Sequence, residues 1–217
     1  QCLEGSEMCI RDSCTDVEMP QYQKTNANVG IDLGIADFAI FSDGNKIENP
    51  KFHEKSEKKL AQLQRGLSRK TIGGANWNKA RIKVAKLQKH ISNQRNDFLQ
   101  KLTTNIIRTY DAICIEDLDV KSLKETNNSN RNKRVGDVSW SEFRRQLTYK
   151  SNWYGKVVSI VDRYFPSSQI CHVCGQRDGK KSEDIRNWIC PHCDTELDRD
   201  INAAINILNE GLRLLYV

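Results

Sequence analysis

No stretch of this 217-residue chain approaches the roughly 18 consecutive apolar residues that a membrane-spanning helix needs. Nor does any basic segment followed by an apolar run mark a secretory leader. The two absences argue against a membrane or exported protein and point to a cytoplasmic one. Cysteine, by contrast, is plentiful at eight residues, and without export these argue for metal ligation or free thiols over disulfides. Cys2, Cys9 and Cys14 lack metal-ligand spacing, and residues 1–20 lack hydrophobic periodicity. Residues 1–27 therefore read as an irregular or non-native segment, with order starting near Tyr22 or Val29. The chain opens on Gln1, not Met, and reads as a fragment or processed product. Its length gives room for one sizeable core with a small satellite.

The net charge of +6 is unevenly spread. From Lys51 to Lys101 there are 14 Lys and Arg against 3 acids, a local balance of +11 that leaves the remainder at −5. Such segregation suits a protein that holds a polyanion on one surface and cations at another. Leu60, Leu63 and Leu67 mark a helix from His53 to Lys70. After the Gly73-Gly74 break, a longer helix runs from about Asn76 to Tyr110, with Ile82, Ala85, Leu87, Ile91, Phe98, Leu102 and Ile106 near helical spacing. Arg65, Arg69, Lys70, Lys79, Lys83 and Lys86 on this pair are candidates for phosphate contacts; a solvated helical face is the alternative.

The stretch Val29-Gly30-Ile31-Asp32-Leu33-Gly34-Ile35 reads as a buried strand. Alternation puts Val29, Ile31, Leu33 and Ile35 on one face and Gly30, Asp32 and Gly34 on the other, so Asp32 stands uncrowded. Glycine within a strand marks close approach by a ligand or another backbone. An edge-strand aspartate facing solvent is the competing reading. Residues 37–41 form a second strand, the Asp43-Gly44 turn a hairpin, and Lys46-Ile47-Glu48 a third strand ended by Pro50. Ala112 to Leu118 is a further apolar strand, delivering Glu116 near its end; Cys114 within it reads as a small core residue. The polar, Asn-rich residues 121–137 read as a mobile loop and a candidate lid, or as an ordinary connection. Trp140 to Tyr154 reads as a helix, capped by Ser139 or Ser141 and ended by Gly155, and Lys156 to Val161 as a final strand.

Cys171-x2-Cys174 and Cys190-x2-Cys193, fifteen residues apart, form the strongest local signal. Four thiolates in two such pairs suit a structural Zn²⁺ in a small ribbon. A redox CxxC pair is the weaker alternative, and His172 and His192 are not needed as ligands. Leu197 to Leu208 opens the last helix, with either Asp198 or Asp200 as its N-cap and the other left spare. With Asp32 and Glu116, that spare acid makes three carboxylates from three separated elements. Such carboxylates repel unless divalent cations sit between them, and Mg²⁺ favours oxygen ligands. A strand hairpin, an acidic strand and an acidic helix are what an α/β fold of the RNase H-like type requires.

Taken together, Gly30-Ile31-Asp32-Leu33-Gly34, Ile115-Glu116-Asp117-Leu118, Phe165-Pro166-Ser167-Ser168-Gln169-x-Cys171-x2-Cys174-Gly175 and Asp198-Arg199-Asp200-x-Asn202-Ala203-Ala204-x-Asn206-Ile207 resemble the TnpB (OrfB) family of insertion-sequence transposons, related to type V CRISPR nucleases. The resemblance covers roughly residues 28–215. It implies a RuvC-like nuclease over residues 28–165 and 198–217, with a zinc ribbon inserted at 166–197. It further implies that Asp32, Glu116 and Asp200 hold catalytic Mg²⁺; Asp200 is preferred to Asp198 because the family's acid directly precedes the x-Asn-Ala-Ala run. The implied partners are DNA and a guide RNA in a prokaryotic cytoplasm, with most of the sequence reading done by base pairing. The family normally carries a substantial N-terminal half for RNA binding and target choice, whereas fewer than thirty residues precede the first strand here. The chain then reads as a nuclease lobe apart from its recognition lobe. A rival reading is a zinc-ribbon module that binds nucleic acid without catalysis. Strand-transfer transposition finds no Tyr or His-x-His nucleophile motif to support it.

Overall fold

The computed structural model describes residues 19–119, 129–182 and 185–216. Cys2, Cys9 and Cys14, and residues 121–128 of the stretch expected as a lid, lie outside these residues. Strands β1 (Asn28–Leu33), β2 (Asp37–Phe41) and β3 (Lys46–Glu48) are followed by helices α1 (Phe52–Ser68) and α2 (Ala75–Thr109) and by strand β4 (Ala112–Glu116). Helices α3 (Ser129–Val138) and α4 (Trp140–Tyr154) lead to β5 (Val157–Val161), the short pair β6 (Asn187–Ile189) and β7 (Glu196–Asp198), and the last helix α5 (Arg199–Leu215). Among the described residues no helix is long and apolar enough to cross a membrane.

One five-stranded sheet, in the order β3-β2-β1-β4-β5, organises the chain. The hairpin strands pair antiparallel, while β1, β4 and β5 run parallel. Parallel strands need covering on both faces, and the sequence supplies two different covers. On one face Val29, Ile31, Ile113 and Ile115, all fully buried, pack with Leu99, Ile106 and Ile107 of α2 and Phe143 and Leu147 of α4. Each such side chain contributes roughly 1.5–3 kcal/mol by leaving water, so this layer carries the hydrophobic stabilisation. On the other face lies α5, packed against β1, β4 and β5. Its approach is close: a Cβ on Gly30 would sit 2.0 Å from the Ala204 carbonyl oxygen, and one on Gly211 would meet the Cys114 sulfur at 2.4 Å. Cys114 is thus a buried core residue, as its strand pattern suggests.

Two expectations are corrected. Residues 129–138 form a helix, not a loop, because Val135 and Val138 lie one turn apart and are buried in the core (0% and 3% exposed). On α2 the buried stripe is Val84, Ile91, Leu99, Ile106 and Ile107, while Ile82 is exposed. Over a 35-residue helix only the second half faces the sheet, so near-helical spacing alone does not say which residues meet it. At α4 the chain enters through Ser139, whose hydroxyl donates back to the Gly136 carbonyl and does not cap the helix; Gly155, at φ 69°, ends it.

The segment from residue 19 to residue 27 holds no helix or strand, yet it is pinned. Tyr22 stacks flat on Tyr154, and its N–H donates to the Tyr154 carbonyl. Asp111 accepts from the N–H groups of Thr25 and Asn26 and from the ammonium of buried Lys156. Partial burial pushes the Asp111 carboxyl up, but these donors outweigh it and hold it at about 2. A carboxylate whose folded pKa lies below its unfolded value of about 3.9 stabilises fully above that value and loses the contribution as pH falls toward 2. Asp111→Asn should therefore lower stability by about 1 kcal/mol at pH 7, given its contact with solvent, and the gap from wild type should close near pH 2. Denaturant titrations at several pH values measure this; a gap that does not vary with pH would refute the assignment.

Candidate functional site

Strand register creates the first half of the site. Parallel pairing aligns Gly30 with Cys114 and Ile31 with Ile115. The next rung sets Asp32 beside Glu116, both on the face opposite the isoleucines. The second half comes from α5, whose first turn carries Asp200, 8% exposed. Asp32, Glu116 and Asp200 line one cavity of about 750 Å³, together with Ser167, Arg186 and Arg199. Gly30 leaves room there for the backbone of α5, so the glycine beside the acid serves helix packing and not direct access by a ligand.

The acids are held under electrostatic tension. Burial, followed by the charges of Glu116 and Asp200, pushes the Asp32 carboxyl well above the usual carboxylate range. Burial likewise raises Glu116 to about 7, against hydrogen bonds from the Leu33 N–H and from Asp32 that favour its charged form. Two adjacent buried carboxylates cannot both stay ionised unless a cation sits between them; without one they hold a proton. An all-oxygen donor set of this kind suits Mg²⁺.

The structure separates Asp198 from Asp200. Asp198 is the N-cap of α5: its Oδ1 accepts from the N–H groups of Asp200 and Ile201, and its Oδ2 pairs with Lys46 at 2.8 Å. Both of its oxygens are committed, and Asp200 is the acid on the cavity wall. Asp200 nevertheless faces Arg186, whose Nη1 lies 2.6 Å from its Oδ2. Arg186 lies in the stretch between the two cysteine pairs. Its contact with Asp200 arises because the chain folds back between β6 and α5, where the Arg199 N–H donates to the Arg186 carbonyl, and no local motif announces that.

The four cysteines meet. The sulfurs of Cys171, Cys174, Cys190 and Cys193 all lie within 4.8 Å of one another, and they could hold a metal ion. The Cys171–Cys193 and Cys174–Cys190 sulfurs are each 3.7 Å apart. A tetrahedral shell with Zn–S bonds of about 2.3 Å places sulfurs about 3.8 Å apart, so the spacing fits. Gly175, at φ 73°, makes the knuckle turn. Buried Trp188 and Leu197 are the small cluster's apolar filling. Among the described residues no other group of His, Cys, Asp or Glu closes this tightly; the three acids share a cavity without converging to that degree. The basic candidates Arg65, Arg69, Lys70, Lys79, Lys83 and Lys86 are all exposed on α1, α2 and their junction, and none lines the cavity.

Sheet order, the helix crossing Gly30 and the ribbon feeding that helix define an RNase H-like fold of the RuvC type. Residues 12–127 match the profile of the OrfB_IS605 family, described as "Probable transposase", and residues 140–207 match the Cas12f1-like TNB domain. The chain belongs to the OrfB_IS605 family, the TnpB group. It is 43% identical over 199 residues to a protein of Streptomyces pristinaespiralis and 35% identical over 201 residues to InsQ of Escherichia coli K12, both named "Putative RNA-guided DNA endonuclease". These matches cover 92% and 86% of this chain but 48% and 50% of those proteins; the chain spans about half the length of the relatives it matches. The structure of a CRISPR-Cas12f ternary complex shares the fold with a TM-score of 0.64 at 18% identity, covering 91% of this chain and 41% of that one.

The raised carboxyls carry a stability consequence. With divalent ions chelated, the folded state keeps a proton on Glu116 up to about pH 7, whereas the unfolded chain loses it near 4.3. Stability from this group is full below about pH 4 and is lost as pH rises through 7. Glu116→Gln should thus be more stable than wild type by roughly 2 kcal/mol at pH 8 in EDTA, with the gain shrinking toward pH 4. Thermal unfolding across that range tests it, and a destabilised variant at pH 8 would contradict the reading.

Proposed function

We propose that the chain is the nuclease portion of a transposon-encoded, RNA-guided DNA endonuclease. The observation that carries the proposal is the meeting of Asp32, Glu116 and Asp200 in one cavity, from two adjacent strands and the helix that crosses them. In this reading residues 28–165 and 198–217 form the RuvC-like unit and residues 166–197 the zinc ribbon. Cys171, Cys174, Cys190 and Cys193 hold Zn²⁺, and the three acids hold Mg²⁺. When bound, a pair of such ions supplies activation of water and stabilisation of the leaving oxygen of a phosphodiester. The chain itself does the rest. Asp32 and Glu116 present their oxygens from a rigid sheet, and α5 brings Asp200 over them. Ser167 and Arg199 lie on the same wall, within reach of the phosphate backbone of a strand laid there.

The exposed stripe Lys79, Lys83 and Lys86 lies at helical spacing, which repeats a positive charge about every 5 Å along α2. That spacing is comparable to the step between phosphates on one strand and suits the backbone of a guide–target duplex, the form such proteins hold by shape. Guide RNA and DNA are thus the proposed partners, in a prokaryotic cytoplasm. One observation favours the rival reading of a binding module without catalysis: Arg186 already neutralises Asp200.

Two measurements decide. Purified chain, with and without the remaining half of a relative supplied in trans together with its guide, is assayed for Mg²⁺-dependent cleavage of labelled DNA beside Asp32→Ala. The nuclease reading expects cleavage to fall by at least about a thousandfold in the variant while nucleic-acid binding and a zinc content near one per chain persist. Equal behaviour of the two chains supports the binding module. Separately, reversing Lys79, Lys83 and Lys86 to Glu should weaken nucleic-acid binding at all sequences and reduce the salt dependence by about three phosphate contacts. Fluorescence anisotropy at several salt concentrations reads this, and an unchanged salt slope would exclude the stripe.

A further inference from the structure

The ribbon touches the last helix through an asparagine whose every polar atom is spent. Asn202 is fully buried. Its Oδ1 accepts from the backbone N–H of His172 at 2.9 Å and lies 3.0 Å from the His172 Nδ1, while its Nδ2 donates to the Ile170 carbonyl at 2.7 Å. Ile170 and His172 flank Cys171, the first of the clustered thiols. Asn206, one turn further along α5, donates to the carbonyls of Ser167 and Ile170 at 2.8 and 2.7 Å. On the other side of Asp200 the ribbon returns: the Arg199 N–H donates to the Arg186 carbonyl at 2.7 Å. The turn of helix carrying Asp200 is thereby held between the first cysteine knuckle and the strand that leads into the second.

A buried amide of this kind costs free energy unless its oxygen and nitrogen both find partners. Here they are made only when the first knuckle is folded, and the knuckle folds around its metal. We propose that Asn202 is a positioning residue for the third carboxylate, coupling the first cysteine knuckle through His172 to the place of Asp200 over Asp32 and Glu116. This deepens the Mg²⁺-site reading and rests on it. Asn202 touches no reacting atom. It acts as partners of metal ligands commonly do, by fixing an orientation, and loss of such a partner weakens metal affinity about 10- to 100-fold.

The test titrates Mn²⁺ into the zinc-loaded chain and reads free Mn²⁺ by electron paramagnetic resonance, with zinc content and melting temperature measured on the same samples. Wild type is compared with Asn202→Ala, His172→Ala, Asn206→Ala and Asp32→Ala. The expected result is that Asn202→Ala keeps its zinc but binds Mn²⁺ at least about tenfold more weakly. His172→Ala, which retains the backbone N–H, loses less. Asn206→Ala, which anchors the ribbon without reaching the first knuckle's N–H, stays within about twofold of wild type. If Asn202→Ala does not fold, the half-buried His172 decides alone, and a wild-type Mn²⁺ affinity there overturns the proposal. Equal weakening in Asn206→Ala, or loss of zinc in parallel with Mn²⁺, also overturns it, because Asn202 would then serve ribbon docking in general. If Asp32→Ala itself binds Mn²⁺ like wild type, the acid-site reading fails at its root. If only Asp32→Ala loses Mn²⁺, that reading stands and the coupling through Asn202 is wrong.

Discussion

The site depends on two backbones being allowed to touch. Helix α5 can lie over the sheet only because Gly30 of β1 and Gly211 of the helix each withhold a side chain where the elements cross. Any Cβ at position 30 would collide with the Ala204 carbonyl, which belongs to the same helix as Asp200. The separation of the third acid from the other two is therefore set by main-chain contact, the least compressible distance available in a packed interior. The hydrophobic layer on the other face supplies stability. The α5 layer, with its smaller apolar cluster of Cys114, Val161 and Ile207, supplies geometry.

The charges follow a similar division of labour. Acids are gathered at the carboxyl ends of β1 and β4 and at the start of α5, where burial makes their mutual repulsion expensive. The basic residues are displaced onto a helical hairpin whose first half lies away from the sheet. Arg65, Arg69, Lys70, Lys79, Lys83 and Lys86 are thereby kept off the cavity wall. Among the described residues Lys51, Arg186 and Arg199 line it, Lys51 from just before α1, Arg186 from the ribbon and Arg199 from the start of α5. Asp117, next to Glu116, is clamped separately by Arg144 and Arg163, so the end of β4 is braced without spending the neighbouring carboxylate.

Much of this was readable from residues because it is local. Alternation in β1, the Asp43-Gly44 hairpin, the Gly73-Gly74 break and the paired cysteines each depend on neighbours in sequence, and each stands in the structure where pattern put it. What escaped depends on distant partners. Residues 129–138 look like loop because eight of ten are polar or glycine, yet two valines one turn apart sufficed once α4 and the sheet offered them a core. Ile82 looks as apolar as Leu99, and only the position of the sheet distinguishes them. Gly30 signals close approach, but nothing local says whether a ligand or a helix approaches. For the acids, residue pattern left the last one open between Asp198 and Asp200, with the family resemblance favouring Asp200; in the structure Asp198 caps α5 and pairs with Lys46, from a hairpin far along the chain.

The ribbon's place in the chain also has a temporal consequence. Asp32 and Glu116 lie on the first and fourth strands, but α5 follows the cysteine pairs and docks back on a strand made well before them. Contacts of such long sequence separation form late, after the loops between them have been closed. A growing chain on the ribosome would complete its sheet well before its third acid emerged. The three carboxylates come together only when the ribbon has closed and α5 has docked.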